Sequence, residues 1–250
     1  MNIQILKTMA QDDQVFTIDQ LFNKTRIKRE TLRIILSRME KRGFIERIQR
    51  GTYLIIPLAS EKGKFTIHEF VLASHLVKPY AIGYWSALHH YGLTEQIPET
   101  VFIQTPTRKK QSKMNIFGVQ FQMILVKNTK IYGLRKEWIE ETPVIITDKE
   151  KTIIDCLDKP QYAGGVIEVA KALRTEKLDS EKLRVYALNI SNSAVVRRLG
   201  CLSDSLGLEH ELPRPSSHNY LLLDPTMPDQ GERNARWRLI INTDIYSGEF

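Results

Sequence analysis

Cysteine is scarce in this chain: Cys156 and Cys201 are the only two among 250 residues. Each falls inside a predicted helix, where a cysteine behaves as a small buried apolar residue, so no disulfide is expected and a reducing compartment is. Long apolar runs are missing too. No stretch approaches the roughly 18 residues that a transmembrane helix needs, and the opening MNIQILKTMAQDDQ is too polar for a signal peptide. These absences give the expectation of a soluble cytoplasmic protein with no membrane partner. The sequence also lacks internal repeats and low-complexity segments. Its 42% hydrophobic and 26% charged fractions are those of an ordinary globular protein, and its length allows one or two domains.

Catalytic signatures are as thin. His89 and His90 are adjacent on a predicted helix, so their side chains diverge by about 100° and cannot easily ligate one metal together. Gly164-Gly165 is not followed by the Lys-Ser/Thr of a phosphate loop. Asp148 and Lys151 look like fragments of a nuclease carboxylate–lysine motif, yet Asp148 sits in a first helical turn, where carboxylates are favoured for structural reasons. Ser193, Ser203 and Ser205 have no recognisable base partner. No enzyme activity, metal or cofactor is therefore expected.

What the chain does have is a basic head. Asp19 to Pro57 reads DQLFNKTRIKRETLRIILSRMEKRGFIERIQRGTYLIIP. It predicts a short helix near Ile18–Asn23, a tight connection over Lys24–Arg26, and a longer helix over Lys28–Arg42 stopped by Gly43. Strands Phe44–Ile48 and Thr52–Ile56 then flank a Gln49-Arg50-Gly51 turn. Helix, turn, helix and basic hairpin in this order form a winged helix-turn-helix pattern, whose second helix can enter a major groove. In that helix Leu32, Ile35, Leu36 and Met39 recur as one apolar stripe, with Arg33, Ser37 and Lys41 opposite. Arg26, Lys28 and Arg29 crowd its first turn, against the preference of the helix dipole for carboxylates. Arg47, Gln49 and Arg50 on the hairpin can reach phosphate or the minor groove. These eight residues, Arg26, Lys28, Arg29, Arg33, Ser37, Arg47, Gln49 and Arg50, are the candidate DNA-binding set. A solvated basic face is the competing reading. An earlier helix carrying Ile3, Ile5, Leu6 and Met9 is expected to pack on Leu21 and Leu36. Residues 1–60 hold 11 Lys/Arg against 6 Asp/Glu, a balance of +5 within a whole-chain charge of +7. Positive charge concentrated in one small domain is the footprint of nucleic-acid binding.

The polar stretch from Ala59 to Lys64 is the expected break, dividing a winged domain (1–60) from a larger domain (65–250). In the second, Phe65–Val77 and Ala81–Tyr91 read as helices. Thr100–Gln104, Val119–Val126 and Val144–Ile146 read as strands, with a basic loop over Arg108–Lys113. Thr147 and Glu150 form a predicted capping box opening a helix through Leu157. Further helices are expected after Gly164-Gly165 and over Ser180–Asn189 and Ser193–Leu206, then strands over Tyr220–Leu223 and Trp237–Asn242. The mixture predicts an α/β or α+β fold.

Four segments of this second part carry a family resemblance: ASHLVKPYAIGYWSALHHYGLTEQIPETVFIQTP, TDKEKTIIDCLDKPQYAGGVIEVAKAL from Thr147, VVRRLGCLSDSLG from Val195, and YLLLDPTMPDQGERNARWRLIIN from Tyr220. With the winged head they resemble the antitoxins of type IV abortive-infection toxin–antitoxin systems, the AbiE family, over nearly the whole chain. The resemblance implies an antitoxin domain after the head, repression of its own operon at inverted repeats in operator double-stranded DNA, as monomer or dimer, and counteraction of a co-encoded nucleotidyltransferase toxin. It does not say which residues face the toxin; Arg108–Lys113 and Arg197-Arg198 are candidates. Read from the residues alone, Asp148, Thr152 and Asp155 serve only to cap and solvate a helix, Arg197, Arg198 and Trp237 to brace the domain, and Tyr80, Tyr84, Trp85 and Tyr91 to fill the core. The alternatives to an antitoxin are a transcription regulator with a ligand-sensing or oligomerisation domain, and a nuclease with a winged targeting domain.

Overall fold

A computed structural model describes residues 14–56, 67–175, 177–208 and 211–245. The expected helix at Ile3–Met9 and the expected break at Ala59–Lys64 lie outside the described residues. Backbone contacts divide the chain into two units. One takes the described residues up to Lys78 with 115–119 and 138–144, and the other takes the rest.

The first unit begins with β1 (Val15–Thr17), α1 (Ile18–Thr25) and α2 (Arg29–Lys41), followed by β2 (Ile45–Gln49) and β3 (Thr52–Ile55). α1 starts where it does because Thr17 and Gln20 form a capping box. The Gln20 N–H donates to the Thr17 hydroxyl at 3.2 Å, and the Thr17 N–H to Gln20 Oε1 at 2.6 Å. It stops at Arg26, which turns left-handed at φ 57°. α2 ends at Lys41, two residues before Gly43, whose φ of 74° an L side chain rarely adopts. The strands form an antiparallel sheet in the order β1-β3-β2, with Val15 opposite Leu54 and Ile45 opposite Ile55. Phe16, Leu21, Leu32, Ile35, Leu36, Met39, Ile45, Tyr53 and Ile55 make the core of this unit, so the apolar stripe predicted on the longer helix is buried. The strand β1 was not foreseen from the sequence; it is three residues long, too short for alternation to register.

After α3 (Glu69–Ser74) come β4 (Ala81–Ile82), α4 (Tyr84–His90), β5 (Thr100–Thr105), β6 (Lys113–Ile116), β7 (Val119–Leu125), β8 (Leu134–Ile139) and β9 (Thr142–Thr147). The strands form a mixed sheet in the order β6-β7-β5-β4-β9-β8. β5 runs parallel to β7 over six residue pairs, and β4 pairs antiparallel with β5 and parallel with β9. Helices α5 (Lys149–Asp158), α6 (Val166–Thr175), α7 (Ser180–Asn189) and α8 (Ser193–Leu206) follow, and then a small sheet of β10 (Leu221–Leu222), β11 (Glu232–Asn234) and β12 (Leu239–Ile241) in the order β10-β12-β11. The fold is mixed α/β. α5 packs against α4, α6, α7 and α8, and is their common neighbour.

Several expected elements are corrected. The helix expected over Ala81–Tyr91 opens as strand β4 and turns helical only at Tyr84, because Ile82 and Ala81 pair with Ile103 and Gln104. The helix expected over Phe65–Val77 is shorter, capped by His68, whose Nδ1 accepts the Phe70 N–H at 3.1 Å. The N-cap of α5 is Asp148, whose Oδ1 accepts the Lys151 N–H at 2.8 Å, and Thr147 ends β9 instead. The Thr147 hydroxyl lies 2.7 Å from that of Thr152 and is used inside the core. β6, β8 and β11 were not expected: β6 alternates over only four residues beside a basic loop, and the charged, largely exposed residues of β8 and β11 give no apolar alternation.

Two glycines mark tight packing. Gly165 has φ 91°, and a Cβ there would come within 2.6 Å of Asp224 Oδ2, the atom that accepts the Val166 N–H at 2.7 Å and so caps α6 from a distant loop. Gly200, in mid-α8, lies under the Trp237 ring, where a Cβ would come within 2.3 Å. The Trp237 indole N–H in turn donates to Asp204 Oδ2 at 2.7 Å. Gly200→Ala is expected to lower stability by about 1–3 kcal/mol despite its better helix propensity, because the indole must move. A thermal midpoint equal to or above that of the wild type would show that Trp237 can yield.

Candidate nucleic-acid interface

α2 carries Arg29, Arg33 and Ser37 at i, i+4 and i+8, all exposed, on the side opposite its buried stripe. The β2–β3 hairpin adds Arg47 and Arg50, also exposed, around a turn that Gly51 closes at φ 79°. The Ile18 N–H donates to Gly51 O at 2.8 Å and fixes this turn against the start of α1. These five side chains line one open hollow of about 650 Å³, together with Thr17, Asp19, Glu40, Thr52 and Tyr53. Four arginines against two carboxylates leave it electropositive. No side chain caps α2, whose N-cap is Lys28, so its first-turn N–H groups are open to an anion.

The remaining candidates are placed differently. Arg26 and Lys28 are exposed but do not line the hollow. Gln49 turns away from it, its amide donating to the carbonyls of His75 at 3.1 Å and Leu76 at 3.3 Å. A bulge between Arg47 and Gln49 re-aims the strand at that point. Sequence reasoning did not include Asp19, which holds Arg29. Both Nε and Nη2 of Arg29 donate to Asp19 Oδ1, at 3.0 and 2.8 Å, while the guanidinium lies 4.3 Å from the Phe22 ring centroid. Asp19 stands in the first turn of α1, where a carboxylate reads as a helix-dipole partner, so nothing in the sequence set it apart.

A second concentration of charge surrounds α5 and is buried. Lys151, with no exposed surface, pairs with Asp155 one turn on and lies 4.6 Å from the Tyr132 ring centroid. The second Asp155 oxygen accepts the Gln104 amide at 2.6 Å. Burial raises the Asp155 pKa, against the pull of Lys151 and Gln104. At the helix start, Asp148 accepts the Tyr186 hydroxyl at 3.0 Å and pairs with Lys182 at 3.1 Å; Lys182 also pairs with Glu150 at 2.8 Å. Burial pushes the Cys156 thiol well above its ordinary range and the Cys201 thiol up to about 11, so both rest as neutral packing groups. Each of these charged groups is paired with a neighbour, as in a structural network. Among the described residues no cluster of His, Cys, Asp or Glu could hold a metal, and no helix is long and apolar enough to cross a membrane.

Arg197 and Arg198 are 3% and 6% exposed, which corrects their candidacy for a partner-facing surface. Arg198 donates to Leu157 O at 2.8 Å and Leu223 O at 2.9 Å, and Arg197 to Asn219 O at 2.8 Å, so the pair braces α8 against its surroundings. Arg108, Lys109, Lys110 and Lys113 are exposed. Another hollow, of about 610 Å³, is lined by Arg184, Glu181, Arg236 and Asp204, which pair among themselves at 2.9 and 3.1 Å. It is not the apolar pocket of a small-molecule sensor.

Three expectations can be checked on stability. Arg33→Ala and Arg50→Ala should each change folding stability by under about 0.5 kcal/mol, since both side chains are exposed. Lys151→Ala should cost about 3–5 kcal/mol in denaturant titration, because it strands the Asp155 carboxylate in the core; a loss under 1 kcal/mol would mean that water reaches Asp155. For Glu150, burial alone would raise the pKa, but Lys182 and the Asp179 N–H hold it below the ordinary 4.5. Its contribution is therefore present above pH 4.5 and is lost as pH falls through the lowered folded value. The thermal midpoints of wild type and Glu150→Gln should differ at neutral pH and converge on acidification.

No protein-family model matches the chain, and no curated protein matches it. Among solved structures it is similar to the crystal structure of the RV2827C protein from Mycobacterium tuberculosis. The identity is 15% and the TM-score 0.65, over 94% of this chain and 89% of that one. At this identity the likeness is one of fold.

Proposed function

We propose that this chain is a DNA-binding repressor that reads double-stranded operator DNA through a winged helix-turn-helix head. One observation carries the reading: α2 and the β2–β3 hairpin, separate elements, direct Arg29, Arg33, Ser37, Arg47 and Arg50 into a single electropositive hollow. On this reading α2 is the recognition helix. Arg29, Arg33 and Ser37 meet base edges, while the wing arginines Arg47 and Arg50 meet phosphate. The buried charge around α5 supports a second domain without catalysis. In keeping with the AbiE resemblance, the chain acts as the antitoxin of a type IV abortive-infection system, an antiviral defence. It represses its own operon at inverted repeats and opposes a co-encoded nucleotidyltransferase toxin. Repression resides in the head and antitoxicity in the larger domain.

The test separates the two activities. The full chain should bind a duplex from upstream of its own gene, with log K falling by about 0.9 per log unit of salt for each phosphate neutralised; a flat salt dependence would falsify the electrostatic mode. Arg33→Ala should weaken that duplex by roughly 1–3 kcal/mol more than a scrambled one, whereas Arg50→Ala should weaken both alike. The triple variant Arg29→Ala, Arg33→Ala, Arg50→Ala should lose operator binding yet still restore growth to cells expressing the neighbouring toxin from an independent promoter. If the folded triple variant binds DNA unchanged, the head is not the reader. If it loses DNA and rescue together, antitoxicity is silencing of transcription and the proposed division fails.

A further inference from the structure

Within the hollow on the first unit, one of the two carboxylates, of the same sign as the polyanion the hollow would take, is tied to an arginine. Asp19 lines the hollow, and its Oδ1 receives both the Nε and Nη2 donors of Arg29 at 3.0 and 2.8 Å. The pair is exposed, with side-chain accessibilities of 67% for Asp19 and 45% for Arg29. An exposed pair of this kind contributes little to folding, so stability does not account for it. Its geometric effect is larger. Arg29 is gripped from one side by the carboxylate, and its guanidinium carbon lies over the Phe22 ring, 4.3 Å from the centroid. Two of its five N–H donors are thereby spent, and the guanidinium plane is set before any ligand arrives. Arg33, one turn along α2, and Arg50 across the hollow make no ion pair with another described residue, so their forks are free to follow a phosphate.

We infer that Asp19 is a specificity-positioning residue for DNA: it presents Arg29 in one orientation to a base edge and opposes phosphate in the same place. The inference rests on the DNA-reading head proposed above. Two physical effects combine. A pre-set fork loses less rotamer freedom when it meets a guanine edge, which favours the right sequence. A fixed carboxylate in the hollow repels the backbone of every sequence alike, which disfavours the wrong ones. Together they raise the ratio of specific to non-specific affinity while lowering non-specific affinity itself.

The probe is a duplex enriched by the wild-type full chain from a randomised library, set against a scrambled duplex of the same composition. Asp19→Asn keeps the shape and removes the charge. It should raise affinity for the scrambled duplex severalfold and reduce the specific-to-scrambled ratio about tenfold, the scale of one bidentate contact. Asp19→Glu retains the carboxylate and should recover part of that ratio. Arg29→Lys keeps the charge without the fork, and should lower the ratio even with Asp19 in place. A merely structural role would move the thermal midpoint and leave the ratio alone. A folded Asp19→Asn variant whose affinities for both duplexes shift in parallel overturns the assignment to Asp19 and leaves the DNA reading intact. Failure of the wild type to enrich any duplex overturns the DNA reading itself, and this inference with it.

Discussion

Much of the second unit depends on one constraint: α5 has no solvent-facing side from Glu150 to Leu157. A helix buried all round is normally apolar, yet this one carries Glu150, Lys151, Thr152 and Asp155. Each polar group must then find a partner in the surrounding elements, and the partners dictate where those elements go. Lys151 takes Asp155 and the face of Tyr132; Asp155 takes Gln104 from β5; Glu150 and Asp148 take Lys182 from α7; the carbonyl of Leu157 takes Arg198 from α8. A hydrophobic helix would accept many rotations in the same socket. The ion pairs and hydrogen bonds accept one, since any other orientation strands a charge.

The head is organised by the opposite logic. Among its described residues the core is built on apolar side chains and no charged side chain is buried. The apolar stripe of α2 fixes which face is buried, and helical geometry then places Arg29, Arg33 and Ser37 together on the face that remains. The hairpin contributes its arginines because Gly51 permits the turn and the Ile18–Gly51 hydrogen bond anchors it.

This difference explains what was legible in the sequence. Periodicity is a local signal, so the helices of the head, their stop at Gly43, and the faces of Leu32 and Arg33 could be read directly. So could α7 and α8, whose bounds match the expected ones. The mixed α/β class followed from the alternation of patterns. What failed was non-local. Nothing near Gln49 in sequence announces that its amide reaches the carbonyls of His75 and Leu76. Nothing beside Arg198 announces Leu157 and Leu223 as its partners, so a pair of arginines on a helix read as a surface when it is a brace. The edge strand β8 escaped because its charged, exposed residues carry no alternation, and the edge strand β6 because four residues are too few for its alternation to register. Asp19 escaped for a subtler reason: its ordinary helix-dipole role was sufficient to explain it.

The distant cap on α6 also sets an order of assembly. The N–H of Val166 is satisfied by a carboxylate 58 positions later, and Asp224 is itself held by Asn242, whose side-chain oxygen accepts the Asp224 N–H at 2.9 Å. Gly200 likewise waits for Trp237 to cover it. During synthesis the larger unit therefore stays incomplete until nearly the last of the described chain has left the ribosome. The apolar core of the head lies within residues 16–55, with Gln49 reaching forward only to His75 and Leu76, so that core can be in place long before. A nascent or truncated chain would carry a finished head on an unfinished body. The brief segment around Asn242 thus completes the larger unit alone: without it Asp224 loses its partner and the start of α6 loses a supported cap.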